Sequence, residues 1–283
     1  MNSKILVLGS TGKTGKRVVN RLQDLQTPVR LGSRKALPPF DWDEPGNWSD
    51  VLADIESVYI TFHPDLAVPQ AVEKIKLFTE TASAGNVKKL VLLSGRGEKE
   101  AQVCERIVMN SGLNWTIVRA SWFMQNFSES FLLDSVLSNE VVVPSVGSRE
   151  PFVDADDIAD VAVAALTDNR HSHQIYELTG PELLSFELVT SQIAKALNRN
   201  IHYSEVSIDE YVSILKSFHL PDDYISLIQY LFTEVLDGRN ESVTHDIEKV
   251  LGRKPTSFKE YIDKTLETGV WSVPNSIEEA ARH

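Results

Sequence analysis

The feature that most constrains the fold is a glycine-rich turn that directly follows a short apolar run near the start of the chain. The run Ile5 to Leu8 contains only apolar residues, and Gly9, Gly12 and Gly15 follow it in VLGSTGKTG. The apolar run predicts a buried strand, and the apolar residues after Gly15 recur at helical spacing. A strand, a glycine turn and a helix in this order are typical of a fold that binds the pyrophosphate of a dinucleotide.

Each glycine has a separate role in such a turn. The first allows a sharp bend at the strand end, the second lets the backbone approach the pyrophosphate, and the third lets the helix pack closely on the strand. The helix N-terminus then presents free N–H groups and a partial positive charge. We therefore predict that the whole turn binds the cofactor through Gly9, Ser10, Thr11, Gly12, Lys13, Thr14 and Gly15.

Strand patterns alternate with helical patterns over the first 120 residues. Further strands are predicted at 29–31, 58–62, 88–94 and 114–119. We count 58–62 as the fourth strand and 88–94 as the fifth. This alternation predicts an α/β fold with an extended Rossmann-type, doubly wound parallel sheet.

The rhythm of the sequence changes in the last third. From Pro181 onward helical patterns dominate, and Ser207 with Glu210 and Ser257 with Glu260 both have the spacing of a capping box. We therefore predict an NAD(P)-binding Rossmann domain over residues 1–180. A smaller, mainly helical lobe over 181–283 is expected to cover the substrate.

Composition excludes several classes of function. The net charge of −12 opposes binding to nucleic acid or to an anionic membrane, because both need a basic surface. The single cysteine, Cys104, allows neither an intrachain disulfide nor a cysteine-cluster zinc site. The apolar run at the start is too short for a signal peptide core or a membrane span. We expect a cytoplasmic protein.

The second strand is followed by residues that discriminate between cofactors. An NAD site usually places an acid there to bind the ribose 2′-hydroxyl, whereas this chain has Leu31-Gly32-Ser33-Arg34-Lys35. Arg34 can form a fork on a 2′-phosphate, and Ser33 can donate a hydrogen bond. This pattern favours NADP(H) over NAD(H). The alternative is that Arg34 is a solvated loop charge.

Residues at the ends of the later strands extend this prediction. Thr61, Phe62 and His63 follow the strand counted as the fourth, on the adenine side of the cofactor, although a lone histidine is more often a surface residue. Ser94 ends the next strand and is predicted to contact the cofactor. It also occupies the place of an active-site serine.

The usual acid–base pair of short-chain reductases is absent. Those enzymes use Tyr-x-x-x-Lys, in which the lysine lowers the tyrosine pKa. None of the seven tyrosines has a lysine four residues later. The loop GRGEKEA after Ser94 offers Arg96, Glu98 and Lys99 instead, and we take Ser94 and Lys99 as candidate catalytic residues.

An acidic cluster marks the start of a later helix. Asp154, Asp156 and Asp157 precede a helical pattern in DADDIADVAVAAL. Acids are favourable at a helix N-terminus, so we predict that they cap and charge this helix. A metal site is the rarer alternative, and we assign none.

The chain resembles the NmrA-like branch of the atypical short-chain dehydrogenases. More particularly, it is similar to the ergot-alkaloid-biosynthesis reductases typified by festuclavine and agroclavine dehydrogenases. The resemblance runs in order through VLGSTGKTG, FDWDEPGNW, VYITFHP, VLLSGRG, VRASWFMQNFSE, PFVDADDIADVA, LTGPELLSFELV and VLGRKPTSFKEYI. It implies an NAD(P)H-binding Rossmann domain, a small C-terminal lobe, a cleft between them, and reductases that work without the tyrosine.

The resemblance also implies where the substrate lies. Trp122 and Phe123 would form an apolar wall beside the nicotinamide, and Asn126 would be a polar contact and a candidate catalytic residue. Phe152 and Tyr224 would reach the same pocket. The alternative is that Trp122, Phe123 and Phe127 belong to the core, and that Tyr224 packs between helices.

Two functions of different classes remain open at this point. The first is an NAD(P)H-dependent oxidoreductase that acts on a small molecule such as an imine, a quinone or an enone. An iminium needs no proton, since its nitrogen is already cationic, and a positioned nicotinamide then supplies most of the catalysis. The second is a non-catalytic NADP(H)-binding sensor that regulates a partner. A homodimer is also left open.

Overall fold

The structure is a computed structural model, and it describes residues 4–144 and 147–273. Its strands are β1 (Ile5–Leu8), β2 (Val29–Gly32), β3 (Ser57–Ile60), β4 (Lys89–Gly95), β5 (Asn114–Ala120), β6 (Glu140–Val143), β7 (Arg149–Glu150), β8 (Gln174–Leu178), β9 (Leu184–Ser185) and β10 (His202–Glu205). Six of them form one sheet in the order β2-β1-β3-β4-β5-β8, and every neighbouring pair is parallel. The predicted parallel sheet is confirmed.

Helices separate most of these strands and dominate the last third of the described chain. They are α1 (Lys13–Asp24), α2 (Trp48–Leu52), α3 (Ala71–Ala84), α4 (Lys99–Met109), α5 (Leu133–Leu137), α6 (Ala155–Thr167), α7 (Phe186–Leu197), α8 (Ile208–Ser217), α9 (Asp222–Tyr230), α10 (Asp246–Leu251) and α11 (Phe258–Thr268). Both predicted capping boxes are present, at the starts of α8 and α11. None of the described helices has the length and apolar character needed to cross a membrane.

The six-stranded sheet is covered on both faces. Along β1, Leu6 and Leu8 pack on the side of α2, α3 and α4, whereas Ile5 and Val7 pack on the side of α1 and α6. All four side chains are buried. A strand that is buried on both faces has no polar face to alternate with, which explains the continuous apolar run in the sequence.

The strand count from the sequence was one too high. The strand that ends at Ile60 is the third, because the chain forms no strand between Gly32 and Ser57. This stretch is instead held by aromatic packing and by hydrogen bonds from two indole N–H groups. Nε1 of Trp48 donates to the carbonyl oxygen of Asp41 at 2.9 Å, and Nε1 of Trp42 donates to that of Thr61 at 3.2 Å.

A second core lies outside the sheet. It combines residues that follow β5 with residues of α7, α8, α9 and α11, and it extends from Trp122 to Trp271. Two short pairs of strands, β6 with β10 and β7 with β9, join the same parts of the chain. The domain boundary at residue 180 stays a prediction.

Candidate cofactor and substrate site

A cavity of about 340 Å³ lies at the carboxyl ends of β1, β3, β4 and β5. In open parallel sheets, ligands bind at this edge, where the strand order reverses. Here β1 pairs with β2 on one side and with β3 on the other, so the reversal lies beside the glycine turn. The predicted residues that line the cavity are Gly9, Gly12, Lys13, Thr14, Thr61, Phe62, His63, Ser94, Trp122, Phe123, Asn126 and Tyr224.

The glycine turn has the geometry that its spacing predicted. Gly9 has a φ of +63°, and a Cβ there would lie 2.3 Å from Oγ1 of Thr61. Gly12 is the N-cap of α1. A Cβ on Gly15 would lie 2.1 Å from the carbonyl oxygen of Gly9, a distance that real Cβ contacts do not reach. The first glycine is therefore needed for the bend, and the third for the close contact between α1 and the turn.

Polar groups in the turn fit a phosphate. No side chain caps the N-terminus of α1, so its first N–H groups are free to bind an anion. Oγ of Ser10 is buried and has no hydrogen-bond partner within the described chain. Lys13 reaches the cavity, where its Nζ lies 3.5 Å from Oδ1 of Asn126, and burial lowers its pKa. An anion bound here would meet a cation and unpaired donors at once. Of the other two predicted residues of the turn, Thr11 is exposed and Gly15 is buried.

The predicted 2′-phosphate residues lie beyond the cavity lining. Ser33 and Arg34 directly follow β2, and the Arg34 side chain is exposed. Arg34 makes no hydrogen bond or ion pair with another residue of the described chain. An exposed, unengaged guanidinium at the end of the second strand has the freedom to bind a 2′-phosphate, and its role stays a prediction.

The three candidate catalytic residues differ in position. Ser94 lines the cavity, and its hydroxyl donates to Oε1 of the fully buried Glu105 at 2.7 Å. Asn126 lines the cavity opposite Lys13. Lys99 is exposed as the first residue of α4 and is not among the described residues that line the cavity. The helix turns its side chain toward solvent, so the structure does not bring Lys99 to the other two.

Three of the four predicted aromatic residues form a wall of the cavity. Trp122 and Phe123 follow β5, and the half-buried Tyr224 comes from α9. Phe152 lies in the second core, where its ring centroid is 5.8 Å from that of Phe127. It is not among the described residues that line the cavity. Its neighbours are those of a core residue, so the structure does not place Phe152 in the predicted pocket.

Two acids that the cofactor and catalytic predictions omitted also line the cavity. They are Asp65, in the loop after β3, and Glu98, immediately before α4. Glu98 was visible in GRGEKEA, but no sequence pattern connects it with Asp65. The two acids lie in loops that follow neighbouring strands, β3 and β4.

The acidic cluster after Phe152 belongs to α6. Asp154 is the N-cap, and its side chain accepts a hydrogen bond from the backbone N–H of Asp156. Asp156 pairs with Arg17 and Arg21 of α1. The predicted capping role is confirmed for Asp154, and the charge of Asp156 joins α6 to α1.

Taken together, the sheet and the glycine turn define a Rossmann-type α/β protein of the dinucleotide-binding class. The chain belongs to the NmrA-like family, whose model matches residues 98–263. The resemblance inferred from the sequence is therefore confirmed.

Relatives and solved structures agree with this assignment over nearly the whole chain. Agroclavine dehydrogenase of Claviceps fusiformis is 28% identical over 281 residues, which cover 91% of this chain and 96% of that protein. Prestalk A differentiation protein A of Dictyostelium discoideum is 24% identical over 93% of this chain and 92% of its own. The NADPH complex of a quinone oxidoreductase from Escherichia coli superimposes with a TM-score of 0.79 at 18% identity, covering 93% and 99% of the two chains.

Proposed function

We propose that this protein, an oxidoreductase of the NmrA-like family, uses NADP(H) to reduce an apolar or aromatic acceptor such as an imine, a quinone or an enone. The observation that carries the proposal is that one cavity is lined both by the glycine turn and by Trp122, Phe123 and Tyr224. A dehydrogenase relative at 28% identity over most of the chain supports the same class of reaction. The acidic net charge is consistent with a substrate that is not an anion.

Bound nicotinamide would supply the hydride, and the protein's own residues would hold both reactants. The N-terminus of α1, Ser10 and Lys13 bind the pyrophosphate, because they present donors and a positive charge. Trp122 and Phe123 exclude water from the reacting carbon. Orienting two reactants in a dry pocket is a large part of catalysis in reactions of this kind.

The cofactor preference is tested by removing the guanidinium after β2. We expect Arg34→Ala to raise the Kd for NADPH by about 10- to 150-fold and to leave the Kd for NADH unchanged. The increase corresponds to the loss of a charge-assisted hydrogen bond of about 1.5–3 kcal/mol. Isothermal titration calorimetry measures both. Arg170→Ala is the matched control, since Arg170 is also exposed and lies outside the cavity lining. Equal weakening of both cofactors would show that Arg34 does not bind a 2′-phosphate.

The reaction is tested by following NADPH absorbance with a panel of imines, quinones and enones. Loss of absorbance that depends on one acceptor class supports the proposal and identifies that class. The sensor is the second candidate, because one relative is named for differentiation and not for a reaction. Tight NADPH binding with no turnover across the panel would favour it.

A further inference from the structure

Two carboxyl groups meet in the cavity from separate elements of the fold. Glu98 is the N-cap of α4 and is only 6% exposed, while Asp65 in the loop after β3 is partly exposed. Both line the cavity, together with the aromatic residues of the proposed substrate wall. Burying two acids side by side is costly unless a proton or a cation neutralises one of them.

The position of Glu98 depends on the glycine at the end of β4. A Cβ on Gly95 would lie 1.8 Å from Oε1 of Glu98, so the glycine leaves the space that the carboxyl group occupies at the end of β4. Oδ1 of Asp65 accepts the backbone N–H of Ala67 at 2.8 Å. No N–H or O–H group of the described chain reaches Oε2 of Glu98, although this atom is buried. The site thus holds a buried acid with one oxygen left free.

Burial and nearby acids both favour the protonated form of Glu98. Burial, followed by the negative charge of Asp65, raises the pKa of Glu98 well above its usual range, and Glu100 and Glu105 act in the same direction. Two other neighbours favour their neutral forms, because burial raises the pKa of the Cys104 thiol to about 12 and also raises that of the Tyr230 phenol.

One cationic side chain that lines the cavity is already paired with other groups. Arg96 lines the cavity, but its guanidinium pairs with Glu177 and donates to the carbonyl oxygens of Asn240 and Ser242. Burial also raises the pKa of Asp65, while hydrogen bonds from Ala67 and Glu98 oppose this shift. The pair therefore favours one shared proton, and the pronounced rise in the pKa of Glu98 favours Glu98 as its holder.

We propose that Glu98 is the catalytic acid that replaces the missing tyrosine, with Asp65 as the residue that positions it. The inference rests on the proposed function. A neutral quinone or enone receives a hydride from reduced nicotinamide, so that a C–H bond forms, the acceptor is reduced and the nicotinamide is oxidised. The resulting oxyanion takes the proton of the Glu98 O–H group. Glu98 is left as a carboxylate and regains a proton from water.

This assignment makes a distinction between acceptor classes. A quinone or an enone develops negative charge on oxygen and needs the proton, whereas an iminium becomes a neutral amine without one. Glu98→Gln preserves the shape of the protonated acid and can still donate to Asp65, but it cannot supply a proton. Glu267→Gln is the matched control, because Glu267 is an exposed acid on α11 and is not among the described residues that line the cavity.

The first experiment compares turnover of the two variants with NADPH. We expect Glu98→Gln to lower kcat for quinones and enones by about 100-fold or more, the usual contribution of a general acid, and to leave a preformed iminium unaffected. Glu267→Gln should retain wild-type rates with all acceptors. Equal slowing of all acceptors by Glu98→Gln would overturn the assignment in favour of a structural role.

The second experiment needs neither cofactor nor turnover. Infrared spectroscopy of the unliganded protein at neutral pH should show the C=O stretch of a protonated carboxyl group in the difference spectrum of wild type minus Glu98→Gln, and not in that of wild type minus Glu267→Gln. Absence of this band from the Glu98→Gln difference spectrum would overturn the assignment. If the band behaves as expected and wild-type protein reduces no acceptor, the proposed function fails. If quinones are reduced equally by wild type and Glu98→Gln, only the catalytic role of Glu98 fails.

Discussion

Breaking the ion pair beneath the cavity should destabilise the fold strongly. Glu105 of α4 is fully buried, and Arg119 of β5 donates to both of its oxygens, from Nε at 2.9 Å and from Nη2 at 2.7 Å. Arg119→Met leaves Oε2 of Glu105 without this donor, and Oε1 keeps only the hydroxyl of Ser94. Glu177, the other partner of Arg119, retains Arg96. The cost therefore falls on one buried carboxylate.

The magnitude follows from the burial of Glu105. Removing one partner of a buried pair typically costs about 3–5 kcal/mol, because the other charge stays buried without compensation. Urea unfolding, followed by tryptophan fluorescence and circular dichroism, measures the loss. In the double variant Glu105→Leu, Arg119→Met the loss should be smaller, since neither charge remains.

An exposed pair gives the control for this experiment. Arg170 is 85% exposed and contacts Asp168 at 2.6 Å, so Arg170→Met should leave the unfolding midpoint unchanged. A loss of less than about 1 kcal/mol in Arg119→Met, or a double variant less stable than either single variant, would refute the reasoning about burial.

Two further predictions concern the glycine turn and a buried acid. Gly15→Ala should lower the free energy of unfolding by about 1–3 kcal/mol, because the new Cβ meets backbone 2.1 Å away. A Cβ on Gly46 would have no atom within 4 Å, so Gly46→Ala should leave the free energy of unfolding unchanged in the same urea experiment. Equal free energies for the two variants would contradict the packing argument. Burial raises the pKa of Glu150 to about 7 from an ordinary 4.5, so wild-type stability should fall as pH rises through that window. Glu150→Gln stays neutral and should lose the part of this dependence that Glu150 contributes, and parallel pH curves for the two proteins would show that Glu150 contributes none.

Much of the sheet could be predicted from the sequence because local patterns carry the necessary information. Apolar runs such as Ile5–Leu8 have to be buried on both faces, and the glycines mark a bend that a side chain would obstruct. Predictions failed where contacts between side chains, and not the local sequence pattern, determined the conformation of the backbone. The stretch before β3 contains no strand because tryptophan rings and their N–H groups hold it in another conformation.

The substrate wall shows the same limit. Trp122 and Phe152 are both aromatic residues in apolar surroundings, yet one faces the cavity and the other is enclosed by neighbouring rings. Sequence spacing specifies the direction of a side chain relative to its own element. It does not specify which other elements surround it.

By itself, the sequence determined that a glycine-rich turn follows the first strand and that a layered α/β sheet follows the turn. Both depend on residues close together in the chain, whose hydrophobicity and backbone freedom act locally. Only the tertiary structure decided that Asp65 and Glu98 share one cavity and that Lys99 lies outside it. Such contacts depend on strand order and register, which bring distant loops to the same edge of a parallel sheet.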